Sequence, residues 1–202
     1  MSQSYYNAAL TFQKVHPKEF LNKFLMQGLR PDSRKFEECR QIDIVMNSIK
    51  TSEGSCMVKV GNTTVVCGVK AEVAPPLFES PDCGFIVPNL ELGPLCSPHI
   101  KPGPPTDQAQ LISDYLERII KTCNMVDLTD LCIEAGKAVW CLYVDIICIA
   151  DGGSVLDASV IALSSALKSV KLPQSKFYEE EGMVKINPTQ TTELNLKTLV
   201  YP

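Results

Sequence analysis

From Ala138 to Ala150 the chain is apolar at every position but Asp145. Such a run belongs in an interior, and as a strand it is expected at the centre of a sheet, covered on both faces. It falls short of the roughly 18 apolar residues that a membrane-spanning helix needs. Asp151-Gly152-Gly153 then makes a tight turn, and Asp157 to Leu172 reads as a helix crowded with Ala158, Ser159, Ala162, Ser164, Ser165 and Ala166. Small side chains let a helix lie close against a sheet, so strand, turn and helix are expected to pack as one unit. Pro173 ends the helix.

Upstream the periodicity changes. Pro17 to Gln27 reads as a short amphipathic helix, with Phe20, Leu21, Phe24 and Leu25 on one face and Gly28 as its stop. Ile42, Ile44 and Met46 alternate with polar residues as a half-buried strand does. Gly54 to Val60 is a second strand, Gly61-Asn62 a turn, and Thr63 to Glu72 a third strand, which together make an antiparallel meander. Phe85 to Leu92 is a short fourth strand that Pro88 assigns to an edge. Gly93 to Pro105 carries five prolines and two glycines and is expected to run extended over the surface. Thr106 caps a helix whose stripe is Leu111, Ile112, Tyr115, Leu116, Ile119, Ile120 and Cys123, with Glu117 and Lys121 paired on its exposed side. Met183 to Ile186 and Thr192 to Val200 read as two further strands. The fold class is α+β: an antiparallel or mixed sheet packed with two long helices, in the order β-β-β-β-α-β-α.

Composition narrows the function classes. The net charge is -4, and the basic residues near the N-terminus are interleaved with acidic ones, so electrostatics alone does not point to nucleic acid. The first ten residues lack the basic and apolar regions of a secretory signal, which implies a protein kept inside the cell. The nine cysteines are scattered without a CxxC pair and accompany only two histidines, His16 and His99, a pattern of buried free thiols with no metal site.

Few residues offer chemistry. Gly152, Gly153 and Ser154, between a buried strand and a helix, could hold a phosphate on free backbone N–H groups; they could equally be a turn that needs glycine torsions. Neither a Walker loop nor a GxGxxG pattern is present, so no nucleotide cofactor is expected. Asp151 and Asp157 could act as an acid–base pair, while Asp157 is also explained by the helix dipole. Asp145 must pair, meet a partner or face a wet edge. His99 and Lys101 could touch a phosphate backbone or be solvated loop residues. Two histidines leave no nucleophile–His–Asp set, so no catalytic residue is assigned.

Several stretches together resemble the RNase PH family. Arg30-Pro31-Asp32-Ser33-Arg34 is similar to its RPDGR motif, with Ser33 in place of the glycine. Gly54-Ser55-Cys56-Met57-Val58-Lys59-Val60-Gly61-Asn62-Thr63-Thr64-Val65 resembles its GSxxVKxGNTxV hairpin, and Gly68-Val69-Lys70-Ala71-Glu72 continues the match. Pro102-Gly103-Pro104-Pro105 is similar to the loop of family members that build the RNA exosome ring without activity. Asp151 to Ala158 occupies the place of the family's phosphate turn, GGTRTA in phosphorolytic members, where the arginine binds phosphate. Here Val155 stands in its place and Asp157 adds negative charge.

The resemblance implies an RNase PH-type domain over residues 30–173. Residues 1–29 precede it as a segment with a short helix. Residues 174–202 begin a second β-α half, most of which would be missing. It implies a non-catalytic structural subunit of the exosome ring, with ring and cap subunits as partners and RNA in the channel. His99 and Lys101 would be RNA contacts, and Gly152, Gly153 and Ser154 a degenerate phosphate turn. The expected location is nucleus, nucleolus and cytoplasm. An active phosphate-dependent 3'-to-5' exoribonuclease and a partner-binding adaptor outside the ring are the alternatives.

Overall fold

The computed structural model describes residues 11–97, 100–178, 183–198 and 200. They divide into two compact units, with the boundary between Arg40 and Gln41. In the first, helix α1 (Pro17–Leu25) opens with proline in its first turn, where the missing N–H costs nothing. Leu29 then bridges Lys35, and the Arg34 guanidinium braces the turn between them, donating to Asp32 Oδ2 and to the Glu38 carbonyl, each at 2.7 Å. Ser33 has a φ of +69°, the left-handed conformation that explains a glycine at this place in the resembled motif.

In the second unit the strands are β1 (Ile42–Met46), β2 (Gly54–Val60), β3 (Thr63–Ala74), β4 (Phe85–Leu92), β5 (Cys132–Glu134) and β6 (Ala138–Ala150). They form one sheet in the order β1-β2-β3-β6-β4, with β5 also on β6. The expected meander is present, β1, β2 and β3 pairing antiparallel in turn, and β6 then pairs antiparallel with β3. Strand β4 joins β6 in parallel, because helix α2 (Asp107–Cys123) carries the chain back over the sheet between them. It lies at the end of the order, as Pro88 suggested.

One correction concerns β6. The strand is central and buried on both faces from Ala138 to Leu142, but from Tyr143 onward only one of its faces is covered. The row Cys56, Cys67, Ile146 and Leu90, in register across four strands, is buried. On the opposite face Tyr143 is 40 % exposed and Ile147 46 %, and Asp145 between them is also exposed. The physical reason is that both long helices pack against residues of the buried face. Asp145 takes the wet option, with Asn89 Nδ2 of β4 at 3.4 Å from its Oδ1.

Helix α2 starts where Thr106 Oγ1 accepts the Ala109 N–H at 3.2 Å, and ends on Asn124 with φ +48°. Its Ile112, Leu116 and Ile120 are buried, and the Lys121–Glu117 pair closes at 2.6 Å. Helix α3 (Val155–Ser169) is buried along most of its length, with Ala158, Ala162 and Ala166 fully so.

The region after α3 differs from expectation. The helix stops at Ser169, and β7 (Lys171–Tyr178), hidden from sequence reading by Pro173, pairs antiparallel with β8 (Met183–Glu193). The register shifts between Pro173 and Gln174, which absorbs the proline's missing donor. The strand expected from Thr192 to Val200 is not seen among the described residues: β8 takes up Thr192 and Glu193 and ends there. Instead Leu194 N–H donates to the Val170 carbonyl, Leu196 bridges Val126, and Lys197 N–H donates to the Met125 carbonyl at 2.9 Å.

Candidate site at the glycine turn

Strand β6 delivers the chain to Asp151, and α3 takes it away at Val155. Between them Gly153 has φ +93° and Ser154 φ +60°, so two successive residues are left-handed, the first one tolerable because it is glycine. Gly152 is required for a different reason. A Cβ there would stand 2.7 Å from Asn62 Cβ and 3.0 Å from the Asn62 carbonyl carbon, inside contact distance. The turn lies against the β2–β3 hairpin, and glycine permits the approach.

Thr63 locks that contact. Its hydroxyl, fully buried, donates to the Gly153 carbonyl at 2.6 Å and accepts the Gly152 N–H at 3.0 Å. The Gly153 N–H donates to Asp151 Oδ1 at 2.9 Å. The Asp151 N–H donates to the Cys96 carbonyl at 3.1 Å and ties in the proline-rich loop. Beneath the turn the Cys96 and Cys148 thiols face each other. Burial, then the nearby Cys96 and Asp151, pushes Cys148 up to about 12, and Cys96 is raised first by burial. Neither thiol is a nucleophile at neutral pH.

The sequence-derived site residues distribute unevenly. Gly152, Gly153 and Ser154 are together, but the N–H groups of both glycines already have partners within the chain. Asp151 serves its own turn, and Asp157 is exposed in the first turn of α3, favourable for the dipole and repulsive to an anion. Val155 is 5 % exposed and its side chain belongs to the core. That corrects the expectation that it faces a phosphate pocket: the position is spent on packing. Lys101 is exposed in its loop and makes none of the turn's hydrogen bonds given above; His99 lies outside the described residues. Among the described residues no group of three His, Cys, Asp or Glu could hold a metal ion.

Thr63 and Cys96 escaped the sequence reading. Thr63 looked like the first residue of a strand, and its partner Gly152 is 89 positions away. No local pattern encodes such a pair; the Gly61-Asn62-Thr63 motif was the only trace. The resulting arrangement is a brace that holds helix, hairpin and loop to one end of the sheet.

The geometry agrees with the comparisons. Residues 38–173 match the model of the 3' exoribonuclease family, domain 1. Exosome complex component rrp43 of Schizosaccharomyces pombe is 44% identical over 189 residues, 94% of this chain and 70% of that protein. Exosome complex component Rrp42 of Archaeoglobus fulgidus is 40% identical over 160 residues, 79% of this chain and 62% of the relative. Among solved structures, a chain of the Archaeoglobus fulgidus exosome with RNA bound to the active site superposes with a TM-score of 0.78 at 36% identity, covering 90% of this chain and 68% of that one. A chain of an archaeal exosome core gives 0.72 at 32% identity, covering 90% and 65%. The chain thus spans between about three-fifths and seven-tenths of the length of these relatives. It belongs to the 3' exoribonuclease (RNase PH) family, with residues 38–173 forming that family's first domain.

Proposed function

We propose that this chain is a non-catalytic structural subunit of an RNA exosome ring, supporting 3'-to-5' RNA processing and degradation, ribosomal RNA maturation and mRNA turnover included. The relatives' names support the assembly. The absence of catalysis rests on one observation: at the turn where the resembled phosphorolytic members use an arginine, this chain buries Val155 in its core and closes both glycine amides internally. A phosphate there would meet Asp157 and lack the guanidinium, a charge-assisted contact worth about 1.5–3 kcal/mol.

The partners in this reading are other RNase PH-type ring subunits, cap subunits and RNA threading the channel, in nucleus, nucleolus and cytoplasm. Residues 30–173 act as the RNase PH-like domain, flanked by 1–29 and 174–202, and His99 and Lys101 touch RNA phosphates. No described helix is long and apolar enough to cross a membrane. The test is twofold. Native mass measurement of the assembly should return RNase PH-type chains beside this one. Purified chain given labelled RNA and inorganic phosphate should release no nucleoside diphosphate; release above background overturns the non-catalytic reading.

A further inference from the structure

Helix α1 is amphipathic, yet none of its residues is buried. At 100° per residue, Phe20, Leu21, Phe24 and Leu25 share one arc with Pro17. Leu21 and Leu25 are each 43 % exposed. The aromatic rings lean mainly on one another: Phe20 and Phe24 are 5.0 Å apart by centroid, and Phe12 and Phe20 6.4 Å. The charges on the helix are placed as a rim. Lys18 borders the arc beside Leu25, and Lys23 borders it on the Phe20 side, its Nζ 4.6 Å from the Phe12 ring centroid. Glu19 and Asn22 fall on the back. Lys14, in the turn before, adds a third cation. The helix also precedes residues 38–173, so it lies outside the part matched to the family domain.

We infer that α1 is a docking helix, which lays Phe20, Leu21, Phe24 and Leu25 into an apolar groove on another protein chain rimmed by carboxylates that meet Lys18 and Lys23. Anchors at i and i+4 in two adjacent columns are the pattern by which a helix is read in a groove. The two flanking lysines give the partner its sign, because carboxylates on both lips of the groove complement them. A protein groove suits α1 better than a bilayer. The cations of α1 border the apolar arc on two sides while Glu19 sits behind it, where a membrane-surface helix carries a strongly cationic face. The inference goes beyond the ring reading, since it names the chemistry of one contact whichever assembly holds the chain.

The test uses the full chain in its native assembly, with a benzophenone-bearing amino acid replacing Leu21 and the crosslinked peptide identified by mass spectrometry. The expected product joins position 21 to one segment of a different protein, apolar and flanked by Asp or Glu. The double substitution Lys18→Glu/Lys23→Glu should cut the yield about ten-fold, as the loss and reversal of two rim ion pairs implies. Phe20→Ala/Phe24→Ala should do the same while the thermal midpoint of the purified chain stays unchanged. A crosslink to a second copy, to lipid or only within the chain overturns the inference. So does a yield that ignores the lysine reversals, or a midpoint that falls with the phenylalanines. The subunit list of the assembly, measured separately, decides the ring reading, so the two can fail independently.

Discussion

Gly54→Ala is the substitution that most directly probes how α3 is seated. Gly54 opens β2 without an unusual φ, so its requirement is purely one of space. A Cβ there would meet Val170 Cγ2 at 2.6 Å, the Ala166 carbonyl oxygen at 2.8 Å and Val170 Cα at 3.0 Å. Only the first of these can swing away; the other two are backbone at the end of α3. The added methyl must lift the helix end from the sheet or distort β2, and overpacking of this kind costs about 1–3 kcal/mol. With two backbone clashes the upper end is expected, which for a chain of this size lowers the melting temperature by about 6–12 °C. Trp140, the only tryptophan and 5 % exposed, reports the transition by fluorescence in urea. Val170→Ala alone should cost about 1–2 kcal/mol for the buried methyls it removes. In the double variant it relieves the Cγ2 contact and leaves the Ala166 carbonyl in place. The pair should therefore cost about 1 kcal/mol less than the sum of the singles. Gly54→Ala within 0.5 kcal/mol of the parent, a shift smaller than that of an ordinary surface change, or strict additivity with Val170→Ala, refutes the close approach.

Other perturbations test the brace and its surroundings. Thr63→Val removes the hydroxyl that serves both the Gly152 N–H and the Gly153 carbonyl, and should cost about 1–3 kcal/mol in urea unfolding, while Thr63→Ser keeps most of the stability. Val155→Arg should fail to create a phosphate site: it pushes a guanidinium into the core, destabilises by several kcal/mol, and yields no nucleoside diphosphate from RNA and phosphate. A stable, phosphate-binding variant contradicts the buried placement. Lys197, by its hydrogen bond and charge, and Thr129 hold Asp127 well below its usual 3.8, at about 2. The folded value is depressed, so its stabilising effect is complete above 3.8 and disappears as pH falls through 2. The gap in urea midpoint between the parent and Asp127→Asn should be constant near neutrality and close between about pH 4 and pH 2. Ellman's reagent at pH 8 should label exposed Cys39 quickly and leave Cys56, Cys67, Cys96, Cys141 and Cys148 for the unfolded chain, with Cys39→Ser abolishing the fast phase.

Much of the fold was legible because its signals are local. The apolar run through β6, the Thr106 cap and the small residues of α3 each specify an element over a few positions; the alternation of Ile42, Ile44 and Met46 located β1 but not its burial, since all five of its residues are exposed rather than half-buried. The reading failed at β7, where a proline inside the strand mimicked a helix stop, and at the tail, where Leu194 and Leu196 pack by long-range contact. At the site the sequence located the glycine turn between β6 and α3. It did not locate Thr63, whose importance arises only when two segments far apart in the chain meet.

The amino-acid order by itself settled most of the strands and helices from β1 to the start of α3, and that the turn lacks a cation, because propensity, periodicity and charge travel with the residues. Only the tertiary structure decided that Val155 faces the core, that Tyr143 and Ile147 stay exposed, and that Gly54 and Gly152 are places of close approach. Those depend on which face of each element meets another, and that orientation is fixed when the sheet and helices pack together.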